Sequence, residues 1–169
     1  MIYPKGYFDK VSDINVQYLI QNNIKGLILD VDNTLIDYER NINKETVEWV
    51  DEIKRNNIKL CILSNSEKEE KIKSVADKLK IPYMFFAMKP LKKGFKKAKK
   101  LLELNNNEIG VIGDQIFTDV IGANRMKMYS ILVKPLDKKD IWITVIKRPI
   151  ENVIIKRYLN KNGGGSNVF

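Results

Sequence analysis

The residues best suited to chemistry in this chain fall in four short clusters: Asp30, Asp32 and Thr34; Ser64 and Asn65; Lys89; and, behind Gly113, Asp114 and Asp119. Together they offer carboxylates for a hard cation, hydroxyl and amide groups, and one ammonium. Mg2+ takes a few carboxylates and leaves the rest of its shell to substrate oxygens, while a serine and a lysine can neutralise the equatorial oxygens of a phosphoryl group in transfer. In such a site Asp30 could attack phosphorus and form an aspartyl-phosphate. Two like charges as close as Asp30 and Asp32 raise one pKa unless a cation intervenes, so a metal would keep Asp30 ionised while Asp32 carries a proton. One motif then holds a nucleophile and a general acid, and Asp32 could later deprotonate the hydrolytic water.

Composition removes the main competitors. The 169-residue chain has no histidine, which excludes Ser-His-Asp and Cys-His catalysis and histidine-containing zinc sites. Its one cysteine, Cys61, lies in the apolar run 59–63 and cannot form an internal disulfide, which suits a reducing cytoplasm. The first eight residues lack the apolar stretch of a signal peptide, and no window approaches the ~18 apolar residues that span a bilayer. The expected location is therefore cytoplasmic. A formal charge of +9 predicts attraction to polyanions or to phosphorylated substrates without choosing among them.

The elements that must position the clusters are legible as an alternation. Short, nearly continuous apolar runs at 26–31, 58–63, 83–86, 109–113 and 129–133 read as strands covered on both faces. Amphipathic segments fill the gaps, which predicts an α/β fold around a mainly parallel sheet of about five strands. Asn43 is placed to cap a helix over 44–55 and Ser66 one over 67–80. A third helix should run from Pro90 to Glu103, with Leu91, Phe95, Ala98 and Leu102 inward and a lysine face from Lys92 to Lys100 in solvent. In open α/β sheets ligands bind beyond the carboxyl ends of the strands, which is where every chemical cluster falls. One domain over residues 1–160 is expected, followed by a flexible tail over 161–169 that contains Gly163, Gly164, Gly165 and Ser166.

The order Asp30-x-Asp32-x-Thr34, Ser64, Lys89 and Gly113-Asp114-x-x-x-x-Asp119 resembles the haloacid dehalogenase (HAD) superfamily of phosphatases. Lys25 to Leu35, Leu63 to Ser66, Gly113 to Asp119, Gly122 to Arg125 and Tyr129 to Pro135 are similar, more closely, to its subfamily IIIA of the YqeG type, a group akin to phosphatidylglycerophosphate phosphatases. The resemblance implies a three-layer, Rossmann-like α/β/α fold and magnesium. It implies Asp30 as nucleophile, Asp32 as general acid and base, and Ser64 and Lys89 on the phosphoryl group. Asn65 joins that substrate set, and Thr34 braces the loop beside it. Asp30, Asp114 and the main-chain carbonyl of Asp32 fall on the metal, with Asp119 supporting the metal or orienting Lys89.

The short connections after Leu35 and after Ser64 leave no place for a large cap domain, so the crevice should be open to a bulky substrate. Phosphatidylglycerophosphate, converted to phosphatidylglycerol, is the substrate that the resemblance implies. A C-terminal region mixing Trp142, Ile143, Val145, Ile146, Ile150, Val153 and Ile154 with Lys138, Lys139, Lys147, Arg148, Lys156 and Arg157 suits peripheral contact with an anionic membrane on its inner face. The plainer expectation is that it packs on the domain, with Pro149 breaking any single long helix. Other readings are a phosphatase of soluble nucleotide or sugar phosphates, a receiver-type phospho-acceptor, or a non-catalytic basic protein that binds nucleic acid or a ribosome. The acceptor on the first apolar strand, with a second aspartate two residues on, argues against the receiver. A scaffold has no need of Asp32, and the lysine face lacks interleaved aromatic residues, so the nucleic-acid signal is weak.

Overall fold

The computed structural model describes residues 2–137 and 142–161, without the side chains of 142–148. Lys138, Lys139 and the tail from residue 162 onward lie outside the described residues, as do the side chains of Trp142, Ile143, Val145, Ile146, Lys147 and Arg148.

Among the described residues six strands form one parallel sheet: β1 (Gly6–Phe8), β2 (Gly26–Leu29), β3 (Lys59–Leu63), β4 (Tyr83–Met84), β5 (Ile109–Gly113) and β6 (Tyr129–Val133), in the order β1-β6-β5-β2-β3-β4. Helices α1 (Val16–Gln21), α2 (Lys44–Arg55), α3 (Glu69–Leu79), α4 (Lys92–Leu102), α5 (Ile121–Arg125) and α6 (Trp142–Lys161) connect and cover it. The sheet is buried on both faces, which explains the unbroken apolar runs. Leu27, Leu29, Leu60, Ile62 and Ile112 face Leu19 of α1, Trp49 and Ile53 of α2, and Ile72 and Leu79 of α3. Ile28, Cys61, Leu63, Ile109 and Val111 face the other way, against Phe95, Ala98 and Leu102 of α4 and Ala123 of α5. This alternation is the period-two signature of strand side chains read from two layers at once. Phe95 is fully buried, and truncation to alanine at such a position costs about 3–5 kcal/mol.

Several boundaries depart from the sequence expectation. β1 is an additional edge strand, too short to announce itself. β2 ends at Leu29 and β4 at Met84 because the chain leaves the sheet to build the site. The Asn43 side chain caps α2, accepting from Thr46 N at 2.7 Å. Ser66 does not cap α3, which begins at Glu69; its Oγ accepts from Lys68 N at 3.2 Å in the preceding turn. Pro90 is not a helical residue: it follows a cis peptide after Lys89, α4 starts at Lys92, and Leu91 is exposed. Pro149 does not break α6. An interior proline removes one amide donor, but here it is exposed and the helix runs through it. α6 packs on the domain through Ile154 and Ile155, while Ile150 and Val153 stay exposed. The connections 37–43 and 64–68 hold no inserted domain. No helix among the described residues is long and apolar enough to cross a membrane.

Candidate active site

The site forms where β2 and β5, adjacent at the centre of the sheet, release their chains. Asp30 still pairs with the sheet, its N–H donating to the Ile112 carbonyl at 2.9 Å, so its carboxylate emerges at the carboxyl end of β2. The chain then turns tightly. Val31 O accepts from Leu35 N at 2.9 Å and Ile36 N at 3.1 Å, and Asn33 takes a left-handed conformation at φ 60°. Asparagine tolerates that region better than most residues. The turn brings Thr34 back beneath the nucleophile candidate, Thr34 Oγ1 donating to Asp30 Oδ2 at 3.4 Å.

Lys89 enters from the other side. Its Nζ lies 2.6 Å from Asp30 Oδ1 and 2.7 Å from Asp119 Oδ1, with its side chain only 2% exposed. A buried ammonium is tolerated here because two carboxylates surround it. Its backbone is held as firmly: Lys89 N donates to Asn65 Oδ1 at 2.6 Å, and Asn65 Nδ2 donates to the Lys89 carbonyl at 3.1 Å. Asn65, expected on the substrate, therefore has both ends of its carboxamide on the main chain of Lys89. Ser64 is buried at the end of β3, and its Oγ accepts from Ser66 N at 3.1 Å.

Beyond β5, residues 116–120 form a π-turn that leads into α5 and carries Asp119 back over the strand end. Thr118 Oγ1 at 3.1 Å and Gln115 N at 3.3 Å both donate to Asp119 Oδ2. Only glycine fits at 113: a Cβ there would sit 2.2 Å from Asp119 Cγ. Asp114 is buried beside them, and Asp30, Asp114 and Asp119 each place a carboxylate oxygen within 4.8 Å of the other two. This all-oxygen set, without thiolate or imidazole, fits Mg2+ or a similar hard cation.

Electrostatics lead to the same ion. Burial pushes the Asp30 carboxyl up to about 7; the Lys89 ammonium opposes that rise, while Asp119 and Asp32 add to it. Burial works against charge on Lys89, yet Asp119 and Asp30 outweigh it and hold its pKa above the ordinary lysine value. When ionised, Asp30, Asp32, Asp114 and Asp119 bring four negative charges, against two positive from Lys89 and Lys71. The remainder matches one divalent cation.

Lys71 is the residue that sequence reading missed. It projects from α3 and pairs with Asp32 Oδ1 at the rim, where the Asp32 side chain is 40% exposed. Asp32 is not among the three clustered carboxylates, so its side chain stands apart from the cation position. Two further braces went unseen. The Asn33 carbonyl accepts from Leu136 N at 3.0 Å and its Oδ1 from Asp137 N at 3.3 Å, tying the loop after β2 to the chain after β6. Glu151 of α6, buried, accepts from Phe117 N at 3.1 Å and so anchors the turn that carries Asp119.

Comparison with known proteins gives a family and a fold. The profile of a family described as mitochondrial PGP phosphatase matches residues 1–136. The chain is 36% identical over 159 residues to the "Probable phosphatase YqeG" of Bacillus subtilis (strain 168), covering 94% of this chain and 92% of the relative. Its fold is similar to that of an uncharacterized protein from Corynebacterium glutamicum, with a TM-score of 0.54 at 18% identity, covering 73% of this chain and 93% of that one. It is also similar to a putative 3-deoxy-D-manno-octulosonate 8-phosphate phosphatase from Vibrio cholerae, with a TM-score of 0.50 at 15% identity over 70% and 79% of the two chains.

Proposed function

Starting from the fact that this chain belongs to the mitochondrial PGP phosphatase family and is a phosphatase of the HAD type, we propose that it hydrolyses phosphatidylglycerophosphate to phosphatidylglycerol through a phosphorylated Asp30. The observation that carries the chemistry is the buried bridge from Lys89 Nζ to both Asp30 and Asp119 beside Asp114. It points one Asp30 oxygen at a fixed cation and leaves a carboxylate at the open end of a strand, which is what an in-line attack needs.

In the first step Asp30 forms a bond to phosphorus as the bond to the leaving oxygen breaks, and Asp32 gives that oxygen its proton. Lys89 and the Ser64 hydroxyl stabilise the charge on the equatorial oxygens, Thr34 braces Asp30, and Asn65 keeps Lys89 in place. In the second step Asp32 takes a proton from water, whose oxygen bonds to phosphorus while the Asp30–phosphorus bond breaks. Mg2+, held by Asp30, Asp114, Asp119 and the main-chain carbonyl of Asp32, would supply further positive charge at the phosphoryl oxygens. The pair with Lys71 keeps Asp32 at the rim, where it can reach both the leaving oxygen and solvent.

The lipid reading is supported by the family match and by a crevice with no inserted domain over it. Phosphate release from phosphatidylglycerophosphate in detergent, beside soluble phosphomonoesters and with and without Mg2+, tests it. Release is expected from the lipid, dependent on Mg2+, and lowered on the order of 10^4-fold or more by Asp30→Asn. Activity on soluble esters alone would overturn the lipid assignment, and an undiminished Asp30→Asn variant would overturn the mechanism.

A further inference from the structure

Immediately before Lys89 the chain does something costly. From the end of β4 it exposes Phe85 (37%), Phe86 (49%), Met88 (41%) and then Leu91 (50%) in succession. Phe86 and Met88 both lie in the left-handed region, at φ 48° and 52°, a conformation bulky residues rarely adopt. The strained segment is held by two hydrogen bonds to the Ser64 loop, Phe86 N donating to Ser66 O and Ala87 N to Ser64 O, each at 2.9 Å, and by one within itself, Leu91 N donating to Met88 O at 2.9 Å. The backbone of this lip is thus fastened to the Ser64 loop while its apolar side chains face outward.

Beside the lip runs a groove of about 590 Å3, floored by Leu63, Met84, Ala87 and Gly94 and walled by Phe85 and Phe86. Lys93 and Lys97 stand along its rim, and both are exposed, as are Lys92 and Lys96 on the same helix. Its one carboxylate, Glu69, accepts from Tyr83 Oη at 3.1 Å. Four exposed apolar side chains within seven residues, with exposed lysines beside them, match the two layers of an anionic bilayer: an acyl region that accepts aromatic and aliphatic groups, and a phosphate plane that attracts ammonium groups.

We propose that the lip 85–91, with Lys93 and Lys97, is the surface through which this protein docks on anionic phospholipid. This rests on the lipid reading of the active site and adds the place of attachment. The apolar side chains enter the interface while the lysines meet the phosphates. Because the lip's backbone is bonded to Ser64 and continues directly into Lys89, docking there brings the crevice to the headgroup plane without any inserted domain.

The test is co-sedimentation of the full chain with vesicles of phosphatidylcholine alone and of phosphatidylcholine mixed with phosphatidylglycerol. One variant is Phe85→Ser/Phe86→Asn, asparagine being chosen because it tolerates positive φ. The second is Lys93→Glu/Lys97→Glu, and the third, on the exposed face of α6, is Ile150→Asn/Val153→Asn. The native protein should prefer the anionic vesicles. The phenylalanine pair should weaken that binding on the order of tenfold or more, and the charge reversal should abolish the preference for anionic vesicles. Hydrolysis of soluble p-nitrophenyl phosphate should be unchanged in both, which controls for folding. Native protein that ignores anionic vesicles, lip variants that bind as well as native, or binding lost only with the α6 pair would each overturn the proposal. So would a dimer broken by the phenylalanine pair in the absence of vesicle binding. If the lip variants keep vesicle binding while phosphatidylglycerophosphate is still hydrolysed in detergent, the docking surface fails and the lipid reading stands. If vesicle binding behaves as proposed but the lipid is never hydrolysed, the reading fails and the surface stands.

Discussion

Two lysines in this molecule each hold an aspartate of the candidate site, one in a closed interior and one at a partly solvated rim. Lys89 is buried against Asp30 and Asp119, bracketed by Asn65, and carries two short ion pairs. Lys71 reaches from the flank of α3 to an Asp32 that is 40% exposed. The contrast suits the two tasks proposed for these aspartates. A nucleophile must keep one orientation, which burial and multiple partners enforce, whereas a group that moves protons twice must meet water and exchange partners. The expected consequences differ in size accordingly.

The sharpest break comes at the buried pair. Lys89→Met leaves Asp30 and Asp119 without their shared counter-charge, and removing one partner of a buried ion pair costs about 3–5 kcal/mol. Phosphate release should fall to background, and chemical denaturation should show that loss of stability in the metal-free protein. A variant as stable as native would mean that the bridge is not the keystone of the crevice.

A smaller effect sharpens the same side. Asp30 holds its proton up to about pH 7 in the metal-free fold, well above its ordinary value. Its contribution to stability is therefore complete at acid pH and is lost as pH rises through 7, because the ionised form is the one that burial penalises. A cation that binds the ionised carboxylate must displace that proton. The apparent Mg2+ affinity, followed by thermal shift, should weaken about tenfold for each pH unit below 7. A flat affinity between pH 5 and 8 would remove Asp30 from the cation's ligands.

The smallest effect belongs to the rim. Lys71→Met should cost about 1 kcal/mol, less than Lys89→Met, because the Asp32 end of this pair stays solvated. Its mark should appear in kcat, and more with a poor leaving group than with p-nitrophenyl phosphate, since only the former needs a well-placed general acid. Equal losses on both substrates would mean that Lys71 supports the fold rather than Asp32.

The same contrast explains what could be read before the structure. Asp30, Ser64 and Asp114 were legible because each follows a run of residues buried on both faces, and the end of such a run marks a strand's carboxyl end, whereas Lys89 and Asp119 stood out only by their place in the motif order. Lys71 was not legible, because nothing in sequence distinguishes it from Lys73 or Lys78 on the same helix; only the approach of α3 to the β2 loop selects it. The lip was hidden for the opposite reason. Phe85 and Phe86 extend an apolar run, and hydrophobicity alone cannot tell a strand that stays in the sheet from one that leaves it at Met84. Asn65 was expected on the substrate, but its contact with the main chain of Lys89 is a matter of tertiary geometry that the sequence does not carry.

Phosphorylation of Asp30 is the step on which the proposed mechanism turns, and Asp32→Asn isolates it. With p-nitrophenyl phosphate the leaving group needs no proton, so the first step proceeds, while loss of the base slows hydrolysis of the intermediate by about 10^2 to 10^4-fold. Acid quenching followed by peptide mapping should then find the phosphoryl group on the peptide that contains Asp30, and none in the Asp30→Asn/Asp32→Asn double variant. A phosphoryl group on any other residue, or turnover with no phosphorylated peptide at all, would contradict the mechanism.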